Sequence, residues 1–399
     1  MDFTPIIPTE QDGKIKEELL LLSEKIVIKS AKITGTHNTI VLRSIKKMLR
    51  NVNSYYSNKI EAEGTHPIDI EKAMRKEYSK NEKEKRLQQL SIAYIDTQML
   101  IENKINKGEL PINKDFIKEI HEFFYTQEGM ESFCDIQNKT NIIKMKPGGI
   151  RTHDVEVGSH IAPKHDDVEH LLNMYETLYR LPQYKTKTEK LIHVFASHHR
   201  LVWIHPFLDG NGRVSRLILD GFLQSINIDG YGLWNISRGL ARNLDNYQHT
   251  LACADETRES DRQRGYLSNS QLEKFVKFML VTALDQITYM SSCLQLNSLS
   301  SRIENFCRES YLGFLEIPPL PQGSELIFKE LLIHGEIERG KVQNIINKKK
   351  TVTAAVIKEL IERYFIESDG PRKPLRLKFN SYFASKIFPD LVPSNKISL

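Results

Sequence analysis

The stretch His205-Pro206-Phe207-Leu208-Asp209-Gly210-Asn211-Gly212-Arg213-Val214-Ser215-Arg216 decides how the rest of the chain is read. It gathers a base, an acid, a glycine turn and two guanidinium groups. Gly210 and Gly212 flank Asn211, so the backbone can take positive φ and come close to a ligand. Val214-Ser215-Arg216-Leu217-Ile218-Leu219 reads as the first turns of a helix. A glycine turn feeding a helix start aims unpaired N–H groups forward, which suits an anion. Arg213 and Arg216, three apart, share a helix face and can reach one anion together. His205, with an ordinary pKa of about 6.5, can take a proton near neutrality. Asp209 is a hard oxygen ligand suited to Mg²⁺. Each piece has a plainer reading: a His-Pro turn, a tight loop, two solvated arginines. Their combination at this spacing favours attack on a nucleoside triphosphate. A pure metal site on His205 and Asp209 is the weaker rival, because no His/Cys/Glu cluster nearby in sequence completes a ligand set.

The stretch resembles the signature of the Fic family, HPFx(D/E)GNGRxxR, at every defined position. The resemblance implies a protein adenylyltransferase, which moves AMP from ATP onto a Ser, Thr or Tyr hydroxyl of a target protein. Carried over by position, it makes His205 the base that deprotonates the hydroxyl and Asp209 the Mg²⁺ ligand. The amides of Gly210 to Gly212, with Asn211, would bind phosphate, Arg213 and Arg216 would hold the outer phosphates, and Phe207 would anchor the loop. Retention of Gly212 favours AMP transfer over transfer of a phosphate onto the target. The alternatives are a DNA-binding regulator whose Fic core senses a nucleotide, and transfer or removal of another nucleotide-derived group.

Composition sets wider bounds. The 399 residues suggest two or three domains, with 40% hydrophobic and 27% charged residues, ordinary for a globular chain. A net charge of +5 is too mild to argue for nucleic acid by itself. Cys134, Cys253, Cys293 and Cys307 show no CxxC spacing and read as reduced thiols. Neither a signal peptide nor an apolar run near the roughly 20 residues of a membrane span is seen, which points to a cytoplasmic location without membrane contact.

Upstream, apolar spacing predicts helix from Lys14 to about Val52. Ser57-Asn58-Lys59-Ile60-Glu61-Ala62-Glu63-Gly64 reads as a polar helix end with a glycine stop. Beside the Fic signature it resembles the family's inhibitory motif, (S/T)xxxE(G/N). Ser57 and Glu61 stand in the defined places, and Ala62 replaces the usual Gly or Asn. The resemblance implies that Glu61 pairs with a motif arginine, most directly Arg216, and competes with the outer phosphate of ATP.

Pro147-Gly148-Gly149-Ile150-Arg151 leads into the alternating Val155-Glu156-Val157 and Gly158, which predicts a short β-hairpin. This resembles the Fic flap, with Ile150 in place of its tyrosine. A flap over Arg151 to Gly158 would dock an extended target segment by β-augmentation. After the motif, Ser237 to Tyr247 resembles the family's post-motif helix. Asn243 and Tyr247 would then wall the adenosine pocket. His193, His198 and His199 read as packing or hydrogen-bonding residues.

Beyond Pro318, Pro319, Pro321 and Gly323, three helical patterns (Glu325 to Ile333, Lys341 to Ile346, Thr353 to Tyr364) precede a strand–turn–strand over Phe365 to Leu377. That is the order of a winged helix–turn–helix. Lys348, Lys349, Lys350, Arg372 and Lys373 would meet phosphates if DNA were bound, and protein docking is an equal alternative. The expected fold is mostly α: a Fic-type helical bundle with a β-hairpin flap, plus a C-terminal winged helix–turn–helix domain. The expected divisions are 1–105, 106–260, 261–320 and 321–399. A homodimer is a further partner to consider.

Overall fold

The computed structural model describes residues 3–10, 12–137, 142–158, 160–180, 186–256 and 267–393. The expected boundary between residues 260 and 261 lies outside them. Sixteen α-helices and three small sheets make up the described chain. The mostly α expectation holds. No described helix is long and apolar enough to cross a membrane.

The expected N-terminal helix is two helices, α1 (Glu17–Ile33) and α2 (Thr39–Ile60). The break has a local cause. Asn38 caps α2 by accepting from the Ile40 amide at 2.9 Å, a backbone arrangement incompatible with a continuous helix. The face of α2 that carries Val41, Ile45, Met48, Leu49 and Val52 is buried. Its last turns bury polar residues instead, with Ser54, Ser57 and Asn58 fully enclosed. Polar groups buried this way require partners from neighbouring elements.

There follow α3 (Pro67–Met74), α4 (Glu82–Asn106) and α5 (Lys114–Tyr125). Two hairpins come next: β1 (Asp135–Gln137) with β2 (Ile142–Lys144), and β3 (Glu156–Val157) with β4 (His160–Ile161). The second is the expected flap hairpin, with one correction. Gly158, at φ +60, sits in its turn, and the return strand is β4 rather than anything before Val155. The Pro147–Gly149 turn only delivers the chain to it. Short apolar/polar alternation cannot say which neighbour supplies the second strand.

The bundle continues with α6 (Val168–Tyr179), α7 (Lys187–Ile204), α8 (Asn211–Ser225), α9 (Ile236–Arg242), α10 (Leu244–Ala254), α11 (Asn269–Cys293) and α12 (Leu296–Tyr311). The expected single post-motif helix breaks at Asn243, whose φ of −129° and ψ of 46° are not helical. α7 is buried nearly all round and packs against α1, α6, α8 and α11, so it is the bundle's central helix.

The C-terminal part holds α13 (Ser324–His334), β5 (Glu336–Ile337), α14 (Arg339–Ile346), α15 (Lys350–Glu362), β6 (Ile366–Glu367), β7 (Leu375–Leu377) and α16 (Ser381–Ile387). Three helices precede the β6–β7 hairpin in the expected order. Two elements went unforeseen: β5, which completes a sheet of order β5-β7-β6, and α16. Phe306, Phe328, Phe365 and Phe383 form one aromatic cluster in this part. α16 returns to α3, where the Ser381 amide donates to the Glu71 carboxylate at 2.7 Å. Tyr56 of α2 donates to the Leu391 carbonyl at 3.2 Å. The C-terminal part therefore braces the same helix whose end reaches the motif.

Candidate active site

The motif loop hangs between α7 and α8. His205 caps α7 in the left-handed region at φ +50, and Gly210 precedes α8 at φ +78. A Cβ on Gly210 would lie 2.2 Å from the Tyr125 hydroxyl, so both φ and space demand glycine. Asn211 closes the loop on itself. Its Oδ1 accepts from the Phe207 amide at 2.9 Å, and its Nδ2 donates to the Phe207 carbonyl at 2.8 Å. Phe207 is buried and stacks on His121 at 3.8 Å between ring centres. His121 Nδ1 accepts from the Gly148 amide at 2.8 Å, leaving Nε2 to donate to the Asp209 carbonyl at 3.2 Å. Burial holds His121 at about 4. Arg151, also buried, donates to the carbonyls of His205 at 2.8 Å, His153 at 3.0 Å and Pro163. Loop and flap are thus fixed to each other through backbone carbonyls.

The polar end of α2 finds its partners in the motif arginines. Arg216 Nε donates to the Ser57 hydroxyl at 2.8 Å, and Nη2 donates to the Ser57 carbonyl at 3.0 Å and to Glu61 Oε1 at 2.7 Å. Arg213 donates to Asn58 Oδ1 at 3.2 Å and to the Glu63 carboxylate. Burial pushes the Glu61 carboxyl upward, but Arg216 and Arg213 outweigh it and leave the group below its ordinary value. Gly212 makes room for this contact, since a Cβ there would lie 2.4 Å from Glu61 Oε1. The chain can make this turn because Ala62 adopts φ +59, the left-handed region where Gly or Asn is easier. Ala62→Gly should therefore raise stability by up to about 1 kcal/mol. Chemical denaturation checks this, and an unchanged midpoint would mean the turn is not strained.

Asp209 is exposed at the loop tip, and its Oδ1 accepts from the Gly210 amide at 2.7 Å. Tyr247 is buried, with its hydroxyl 2.8 Å from His198 Nε2. Asn243 is exposed, its side-chain oxygen accepting from Asn246. The structure thus brings Glu61, Gly212, Arg213 and Arg216 into one contact group. Asn211 is engaged within the loop.

His205 is held at about 4, by burial first and by the nearby His160 next. His198, fully enclosed, is held at about 3, again chiefly by burial. Unfolded, these two and His121 would titrate near 6.5. Below that pH the unfolded chain binds more protons than the folded one. Stability should then fall as pH drops from about 6.5 toward 4, by up to about 1.4 kcal/mol per pH unit for each histidine. The thermal midpoint should drop between pH 7 and pH 5. A flat midpoint over that interval would contradict the burial of these rings.

Several residues of the site were not singled out in the sequence. Glu63 and Asn58 lie inside the quoted Ser57–Gly64 segment, and Arg151 lies inside the flap pattern, so a signal existed. His121 carried none, nor did the contact of His160 with Asp255, 95 residues away in the chain.

Residues 111–223, from just before α5 to near the end of α8, match the family model described as Fic/DOC family. The matched segment is thus a Fic/DOC-type domain built around the motif loop. "Protein adenylyltransferase Fic" of Drosophila willistoni is 36% identical over 77 residues, 19% of this chain and 15% of that protein. The Drosophila yakuba protein of the same name is 31% identical over 109 residues, 27% of this chain and 21% of that protein. The chain therefore matches only about a fifth or less of the length of these relatives. Among solved structures, a Fic family protein from Desulfovibrio desulfuricans G20 aligns with a TM-score of 0.53 at 17% identity, covering 93% of this chain and 98% of that one. Fic-1 from C. elegans aligns with a TM-score of 0.52 at 15% identity, covering 70% and 73%. These two share the fold.

Proposed function

We propose that the chain is a protein adenylyltransferase that transfers AMP from ATP to a Ser, Thr or Tyr hydroxyl of a target protein, restrained by Glu61. The observation that carries this reading is the pairing of both motif arginines with carboxylates from one short segment. Two guanidiniums beside the start of α8 form an anion site, and a built-in anion stands where phosphate oxygens would bind.

In the reaction, His205 accepts the proton of the target hydroxyl as its oxygen attacks the α-phosphorus. A phosphoester to AMP forms, the bond to the bridging oxygen breaks, and pyrophosphate leaves. Arg213 and Arg216 would stabilise the departing charge, and the amides of the Gly210–Gly212 turn would hold phosphate oxygens. The left-handed φ of His205 turns the chain out of α7 and presents the ring at the loop. Asp209 suits a Mg²⁺ ion, which needs only one or two carboxylates when phosphates supply the other ligands. Among the described residues no group of three His, Cys, Asp or Glu is gathered for a metal, so its further ligands would be phosphate and water oxygens. Such an ion would neutralise phosphate charge.

The flap would register the target. Val157 and Ile161, 51% and 75% exposed, offer apolar side chains on a two-stranded hairpin with free edges. Tyr247 and Asn243 would border the adenosine end. Residues 321–399 would form a winged helix–turn–helix unit, with Lys348, Lys349, Lys350, Arg372 and Lys373 exposed for a DNA or protein partner. The test is incubation with ATP labelled on the α- or the γ-phosphate: AMP transfer retains the first label on protein and not the second.

A further inference from the structure

The flap's return strand carries a histidine whose surroundings define its charge. His160 Nδ1 lies 2.8 Å from Asp255 Oδ2, and Nε2 lies 3.1 Å from the Trp203 carbonyl. A carboxylate and a carbonyl can only accept hydrogen bonds, so both contacts are satisfied only when both ring nitrogens carry protons. The second partner of Asp255 is neutral. His199 Nδ1 accepts from Arg200 at 2.8 Å, which leaves Nε2–H to donate to Asp255 Oδ1 at 3.1 Å. Among the described residues, His160 is the partner that can match the Asp255 charge. The Trp203 carbonyl belongs to the last turn of α7, where the helix dipole favours a cation and carbonyls lack helical partners. The His160 ring stands 5.9 Å from the His205 ring.

We infer that His160 is a positioning residue: clamped between the Asp255 carboxylate and the Trp203 carbonyl, its protonated ring fixes the flap's return strand at the His205 end of α7 and keeps His205 in its proton-accepting form. This rests on the reading of His205 as the base. A positive charge so close opposes a second one on His205. Among the described residues, the other charged groups acting on His205 are Arg151, in the same direction, and Glu61 at the end of α2, against it. Asp255 itself is pushed up by burial, yet its bonds to His160 and His199 hold it at about 2, so it is a carboxylate at every working pH. Breaking the clamp frees β4, whose pairing with β3 spans only two residue pairs. The target strand would then lose its register against His205.

The test reads the His205 ring directly. In the full chain, the imidazole signals of His205 are titrated by NMR for the unsubstituted protein, His160→Gln and Asp255→Asn. The His205 midpoint should rise by about one pH unit in His160→Gln, the scale of one unit charge at this separation discounted for solvent. It should rise in the same direction in Asp255→Asn, where the proton on His160 loses its counter-charge. Should His160→Gln not fold, Asp255→Asn decides alone. An unmoved midpoint in a folded variant overturns the inference. The titration needs no nucleotide, so a chain that failed to transfer AMP would leave this result standing and fail only in label incorporation.

Discussion

His205→Ala should lower AMP transfer by about 10²–10⁴-fold while ATP still binds, the range removed with a general base. The expectation follows from position. His205 is the first residue beyond α7, held by its carbonyl to Arg151, and its side chain has no place in the contacts of Arg213 and Arg216. Its depressed affinity for protons leaves the ring unprotonated at neutral pH, as the proposed base must be. Activity should therefore stay level from pH 8 to about 6 and fall only as pH nears 4 to 5. ATP affinity and initial rate are measured on the same preparation. Full transfer by a folded His205→Ala protein would remove His205 from the chemistry.

Glu61→Gly should raise auto-modification at least about tenfold. One charge-assisted bond is worth about 1.5–3 kcal/mol, and the Glu61 side chain, 34% exposed, puts it at the lower end. On the proposed reading, Glu61 occupies the Arg216 guanidinium that would otherwise take a phosphate oxygen. Its removal leaves Arg216 with Ser57, a neutral partner that does not compete for an anion. Glu63 is expected to matter less, because Arg213 keeps Asn58. The double variant separates regulation from damage. Arg216→Ala should be inactive with or without Glu61, since the clamp itself is gone. If Glu61→Gly matches the unsubstituted protein at saturating ATP and Mg²⁺, Glu61 is an ordinary helix-end carboxylate.

The motif loop was legible because its chemistry is local. Gly210, Asn211 and Phe207 explain one another within five residues, and the start of α8 follows at once. Glu61 with Arg216 is a contact across 155 residues. Only the joint resemblance of two segments to one family pointed to it, since helical periodicity carries no distance information. The break at Asn38 was readable as a capping residue, but apolar spacing on both sides masked it. The break at Asn243 and the return strand at His160 depend on tertiary packing. So does β5, two residues long and paired only with β7, which no alternation could reveal.

The measurement that tests the central claim most directly is the intact mass of purified Glu61→Gly protein after incubation with ATP and Mg²⁺, beside Glu61→Gly with His205→Ala. The prediction is a mass increase of one AMP in the first, retained label only from the α-phosphate, and no increase in the second. Label from the γ-phosphate, or an equal increase in both proteins, would contradict adenylyl transfer by His205.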